Sequence, residues 1–465
     1  MLLLFIITYL AATILIGIWA ARRVRTTGDF MLAGKSLPLT LSSAALFATW
    51  FGSETVFGAS SEFMHGGILA VIEDPFGAVF CLVLFGLFYT RKLYNLNLLT
   101  LGDFFRVRFG KRTELIASLF LALPYAGYIA AQLVAMAIIL KVVTGLEIWQ
   151  GVLISSSVVT LYTYVGGMWA ISITDFIQSI LIIAGLIVLA WLLSSKAGGV
   201  ETVLSQAPRD TFRFFPKGDF QSVMAYVAAW CVLGLGSIPS QDVFQRSMSS
   251  RSANVAVASC FIGGGIYLVM AMLPLFISLC TRVLYPAQFG NDTQVALPSM
   301  VLLHTSLPVQ ILFFGSLLSA IMSTTSSAIL APASIFSENL IKPLLKDRIP
   351  DAKFLIITKL CVVFFSVIAS IMACMRSNIY ELVGESSILS LVSLFIPLTF
   401  GLYWKKANST GAVISMFAGI GSWLILENMD LDIPALIPAT LISLVCMIAG
   451  SLFSGDKGTS GRVFQ

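Results

Sequence analysis

Apolar runs long enough to cross a bilayer follow one another along almost the whole chain, with short polar stretches between them. A helix rises about 1.5 Å per residue, so roughly 20 mostly apolar residues span the hydrocarbon core. Thirteen runs meet that measure, at about 2–20, 38–64, 67–90, 114–140, 148–168, 171–194, 221–242, 254–281, 303–336, 354–375, 381–403, 409–427 and 433–454. The pattern predicts an all-α polytopic membrane protein of about 13 transmembrane helices. The first run reads as a retained span, because Arg22, Arg23 and Arg25 follow it, the reverse of a secretory leader. No loop has room for a soluble domain. The cytoplasmic stretch Leu98–Thr113 reads as a short interfacial helix, and Ser195–Phe220 as the outer boundary between two halves. A further outer loop holds Asn291-Asp292-Thr293 and could form part of a lid.

Two runs are interrupted. In the second, Phe47-Ala48-Thr49-Trp50-Phe51-Gly52-Ser53-Glu54 puts a glycine, a hydroxyl and a carboxylate at about mid-depth. Glycine loosens the helical ladder, and a carboxylate there is costly unless it meets a cavity or a partner. A membrane helix broken at that depth frees backbone carbonyls that can hold a ligand. In the seventh, Gly234, Gly236 and Pro239 interrupt the run ahead of Ser240, Gln241 and Asp242. The two interruptions lie five spans apart, and five is odd. Two five-span units in series therefore run in opposite senses, which predicts a 5+5 inverted repeat with two broken helices. In the ninth run, Ser319-Ala320-Ile321-Met322-Ser323-Thr324-Thr325-Ser326-Ser327 sets Ala320, Ser323, Thr324 and Ser327 on one helical face. Small hydroxyl residues let helices pack closely; hydroxyl and carbonyl oxygens also suit a small hard cation.

Composition agrees with a membrane protein: 58% of residues are hydrophobic and 11% charged, against roughly 25% charged in soluble proteins. The basic residues are unevenly spread, and 20 of the 28 Lys and Arg fall in alternate loops, Arg246 and Arg251 among them. That side is expected to be cytoplasmic, with the N-terminus outside and the C-terminus inside. The net charge of +5 then reflects loops rather than a nucleic-acid surface. Seven cysteines in or beside apolar runs, with no paired spacing, read as buried thiols. His65 and His304 form no metal-binding pair, and Gly28…Gly34-Lys35-Ser36 has five residues between its glycines where a phosphate loop has four. The chain is not expected to be an enzyme.

Several of these motifs together resemble the sodium/solute symporter family. Asp29-Phe30-Met31-Leu32-Ala33-Gly34-Lys35-Ser36-Leu37-Pro38 is similar to the segment before that family's first core helix, and Ala48-Thr49-Trp50-Phe51-Gly52 to its break. Gly166-Gly167-Met168-Trp169-Ala170, with Thr174-Asp175 and Gln178, resembles the fifth core helix. Phe244-Gln245-Arg246 and Ser319-Ala320-Ile321-Met322-Ser323-Thr324 complete the set, the former resembling the choline-type branch. The resemblance implies a leucine-transporter-like inverted-repeat fold. Its divisions would be an extra helix and loop at 1–37, repeats at 38–219 and 220–407, and a final helix pair with a short tail at 408–465. It also implies a sodium ion (Na+) held by the carbonyls of Ala48, Phe51 and Ala320 and the hydroxyls of Ser323 and Thr324, with Asp175 on the ion's route to the cytoplasm. A solute would sit near Trp50, Gly52, Ser53, Glu54, Tyr128, Gln132, Ser240 and Gln241. At the choline-type aromatic cage positions stand Ala78, Ala131 and Ser240, with Trp50 alone aromatic, which counts against choline.

The function so implied is sodium-coupled symport of a small organic solute across the cytoplasmic membrane by alternating access. A proton-coupled symporter of the same fold is the alternative. A channel is the rival from another class, but channels show charge rings or a repeated filter loop, and this chain shows neither. Glu73-Asp74-Pro75 is a departure within the third run. The acids either cap a broken helix or bridge to Lys141, or they hold a cationic group or second ion at the outer vestibule.

Overall fold

The computed structural model describes residues 1–285, 298–299, 301–303, 305–345, 349–376, 378–429 and 431–454. Asn291-Asp292-Thr293 and His304 lie outside them. Among the described residues the chain is helical throughout, apart from turns and one isolated bridge between Leu37 and Ser250. Ten helices are long and apolar enough to cross a membrane, and Phe220–Gly236 with Gln241–Met248, bent by 48°, makes an eleventh. Large apolar side chains such as Leu4, Ile180, Trp191 and Val445 stand exposed on the outside, where hydrocarbon rather than water is the natural solvent.

The count by continuous helix is lower than thirteen for a local reason. Glu54–Asn95 runs for 42 residues and Ile148–Lys196 for 49, about twice what one crossing needs. Each contains a glycine in a conformation closed to most side chains, Gly67 at φ 65°, ψ −154° and Gly167 at φ 53°, ψ −153°, and the first also leaves helical geometry at Asp74. A Cβ on Gly67 would stand 2.5 Å from the Thr211 carbonyl oxygen, which accepts the Ile68 N–H at 2.8 Å. The loop between residues 195 and 220 is thereby stapled to the turn between two apolar runs. Conversely, Leu39–Phe47 is too short to cross alone, because the ladder stops at the first break.

The interior is built around Leu307–Ile335, which packs along Ile148–Lys196, with Tyr125–Thr144 against both. On the other side Leu39–Phe47 lies against Ala253–Leu284. Leu101–Phe109 forms the expected short helix, its start fixed by a capping box between Thr100 and Asp103. Ser409–Leu426 and Leu436–Phe453 form a pair against each other.

Candidate functional site

The first break disposes of its carbonyls one by one. The Ala48 N–H still reaches the Ala44 oxygen at 2.9 Å, after which the i to i−4 ladder fails. Of the next four carbonyls, Trp50's accepts the Gly52 N–H at 2.7 Å, and side chains approach all four. Tyr128 donates to the Thr49 oxygen at 3.0 Å, and Thr55 to that of Trp50 at 3.1 Å. Thr324 Oγ1 lies 3.1 Å from the Ala48 oxygen, 3.4 Å from that of Phe51 and 3.2 Å from that of Ala320. One hydroxyl hydrogen cannot serve three acceptors, so this knot of neutral oxygens is rich in lone pairs and poor in donors. The neighbouring Ser323 hydroxyl donates to Asp175 Oδ1.

Asp175 is fully buried, and its Oδ2 accepts from Arg246 Nη2 at 3.0 Å. The expectation that Arg246 sits in a cytoplasmic loop is therefore corrected: it is 0% exposed. After the second break the chain forms Gln241–Met248, polar in sequence yet buried at every position. The seventh run thus extends past residue 242, because a carboxylate on another helix makes a buried guanidinium tolerable. On the same short helix Gln245 donates to the Met31 oxygen at 3.2 Å and to Ser334 Oγ at 3.0 Å.

Between the breaks lies a small cavity of about 30 Å³, lined by Trp50, Pro124, Tyr125, Tyr128, Ser237, Ser240, Asp242, Ser386, Ser387 and Ser390. Of the expected solute residues, Trp50, Tyr128 and Ser240 reach it. Gly52, Ser53 and Gln132 meet behind it: the Ser53 N–H donates to Gln132 Oε1 at 3.0 Å. Glu54 is buried, with its Oε2 unpartnered among the described residues. Gln241 points elsewhere, and its Oε1 accepts the Leu101 N–H at 2.7 Å, tying the second break to the short helix Leu101–Phe109. Asp74 is fully buried, accepting from Thr55 at 2.8 Å and from Tyr267, while these two hydroxyls lie 2.7 Å apart. It braces the first break through Thr55. Glu73 is only half-buried, and neither acid forms an ion pair with Lys141 among the described residues.

Sequence reasoning missed Tyr125, Asp242 and the serines of 386–390. Asp242 carried a signal, a carboxylate directly after an interrupted run. The serines carried none, since Ser and Thr are common in membrane helices that only pack.

Two broken helices, one of them set against a hydroxyl-bearing straight helix, define a secondary transporter of the leucine-transporter-like inverted-repeat class. The chain belongs to the sodium:solute symporter family, whose sequence profile matches residues 30–419. It is 28% identical to the human high affinity choline transporter 1 over 440 residues, covering 90% of this chain and 75% of that one. It is 25% identical to an osmoregulated proline transporter of Bacillus subtilis over 472 residues, covering 96% and 93%. The solved structure of a Na+-coupled sialic acid symporter, substrate-bound and outward-open, superposes with a TM-score of 0.84 at 20% identity and covers 99% of each chain. That likeness shows the fold. The protein is a multi-pass membrane transporter and not an enzyme.

Proposed function

We propose that this protein couples the inward sodium gradient to import of a small organic solute across the cytoplasmic membrane, by alternating access. The ion is cargo, held by the oxygens of Ala48, Phe51, Ala320, Ser323 and Thr324. The observation that carries this reading is the approach of Thr324 Oγ1 to three carbonyl oxygens at 3.1–3.4 Å. Neutral oxygens suit sodium, whereas a proton needs a titratable group, and none belongs to the set. The solute occupies the cavity beside Trp50, Tyr128 and Ser240. Gly52, Ser53, Glu54 and Gln132 support its wall from the break, and Gln241 carries the state of the second break to the cytoplasmic helix. Asp175 lies beside the ion's cytoplasmic route, and Glu73 at the outer vestibule with Asp74 behind it.

In this reading the two long helices divide at Gly67 and Gly167, giving thirteen spans. Residues 1–37 precede the repeats 38–219 and 220–407, and 408–465 follow them. The N-terminus is outside and the C-terminus cytoplasmic. A potential of roughly 100 mV contributes about 2.3 kcal/mol per sodium, and a tenfold gradient adds about 1.4 kcal/mol. One sodium could hold a neutral solute at several hundredfold accumulation.

The test uses purified protein in proteoliposomes and the solutes named for its relatives, choline, proline and sialic acid, as a first panel. Uptake should follow an imposed sodium gradient and be stimulated by an inside-negative potential. Uptake driven by a pH gradient without sodium would replace this reading with proton coupling, which the unpartnered Glu54 Oε2 favours as the second choice.

A further inference from the structure

The cavity beside the first break is chemically one-sided. Its lining offers one carboxylate, three aromatic rings and several serine hydroxyls, and no cationic side chain. The carboxylate is Asp242, only 2% exposed. Its Oδ1 accepts from the Tyr125 hydroxyl at 2.8 Å and from the Val243 N–H at 3.0 Å. Its Oδ2 accepts no hydrogen bond from the described residues. The nearest cation in sequence, Arg246, is one turn along the same helix; its Nη2 pairs with Asp175, its Nε and Nη1 have no hydrogen-bond partner, and it forms no ion pair with Asp242 among the described residues. The other carboxylates around the break add no compensation: Asp74 accepts only from neutral hydroxyls, and Glu54 Oε2 accepts nothing.

A buried carboxylate without an ion-pair partner is costly, and the cost falls when a cation arrives in contact with it. The hydrogen-bond inventory decides which cation. A quaternary ammonium has no N–H and is held by aromatic faces, so it would leave Oδ2 and the cavity serines without donors, which is expensive beside a buried carboxylate. A protonated primary or secondary amine donates to Oδ2 in a charge-assisted bond. Its remaining N–H groups can reach hydroxyls such as Ser237 and Ser240, while Trp50, Tyr125 and Tyr128 present ring faces to its charge. A solute carboxylate would find no cationic side chain in the lining.

We infer that the solute of this transporter is a small organic cation whose N–H-bearing amine is bound by Asp242 between the two breaks. The inference rests on the symporter reading above and deepens its solute site.

Thermal unfolding of the purified full-length protein, in sodium or potassium chloride, tests it. The added solutes are ethanolamine, 2-amino-1,3-propanediol and 1,4-diaminobutane, with ethylene glycol as neutral, choline as quaternary and proline as zwitterionic comparison. At least one of the three amines should raise the midpoint at a concentration tenfold or more below that needed by any comparison solute. Asp242→Asn should weaken that amine's effect tenfold or more while leaving the sodium-specific shift in place, and Asp242→Glu, which keeps the charge, should retain the ranking. The inference is overturned if no amine stabilises the protein, if a comparison solute acts at lower concentration, or if Asp242→Asn leaves the amine response unchanged. Should the variants not fold, the ranking on the wild-type protein decides. Loss of the symporter reading looks different: the sodium-specific shift itself is then absent from the wild type.

Discussion

Thr324 Oγ1 lies 3.1 Å from the carbonyl oxygen of Ala48, joining residues 276 positions apart where the first broken helix loses its ladder. A hydroxyl on a straight helix and a carbonyl on a broken one are a usable ion site only while both helices keep their relative position. In the proposed reading, anything that slides Leu307–Ile335 past the break takes the site apart, so that ion binding and helix movement would become one event.

Removing the hydroxyls without adding bulk tests that junction. Ser323→Ala with Thr324→Ala should raise the sodium needed for half-maximal uptake tenfold or more, a loss of about 1.4 kcal/mol or greater. Thr324→Ser, which keeps the oxygen, should stay near wild type. Sodium titrations of uptake in proteoliposomes separate the two outcomes, and equal sodium dependence in all three proteins would refute the proposed ligand set.

Gly52 is the residue on which the close approach depends. A Cβ there would stand 2.7 Å from Gln132 Oε1 and 2.8 Å from Thr324 Oγ1. Gly52→Ala should therefore displace both partners and abolish sodium-dependent uptake while the protein still reaches the membrane. Surface expression measured beside uptake shows whether transport alone is lost.

The Asp175–Arg246 pair makes a prediction about charge balance. Arg246→Met leaves a buried carboxylate unpaired and should cost about 3–5 kcal/mol of stability. Combining it with Asp175→Asn removes the unpaired charge and should recover most of that loss. Thermal melting of both purified variants in one detergent measures the difference, and a double variant no more stable than Arg246→Met would refute the account.

Asp74, Thr55 and Tyr267 form a closed hydrogen-bonded group behind the break. Asp74→Asn and Tyr267→Phe should each lower stability by about 1–3 kcal/mol. Because they share partners, their effects should fall short of additivity by about 0.5–3 kcal/mol in a double-mutant cycle. Fully additive losses would mean the group does not act as a unit.

Orientation can be read with epitope tags. A tag between Lys217 and Gly218 should be accessible from outside intact cells, whereas one after Lys406 should be accessible only after permeabilisation. Both tags reporting the same side would contradict the thirteen-span arrangement.

By itself, the sequence determined the membrane class, the places where two helices break, and the helical face that carries Ala320, Ser323 and Thr324. These are local matters: the length of an apolar run, a glycine or proline inside it, and a repeat near 3.6 residues are all properties of neighbouring residues. Only the tertiary structure decided what stands opposite each face. Arg246 looked like a loop cation until Asp175, 71 positions away, was seen to neutralise it. Asp74 looked like half of an acidic pair until Tyr267 and Thr55 were found on its two oxygens. Gln241 and Asp242, adjacent in sequence, point to different tasks because one meets Leu101 and the other Tyr125. Periodicity fixes which side chains share a face, but a buried polar group takes its role from its partner, and these partners come from other helices, brought near only when the bundle closes.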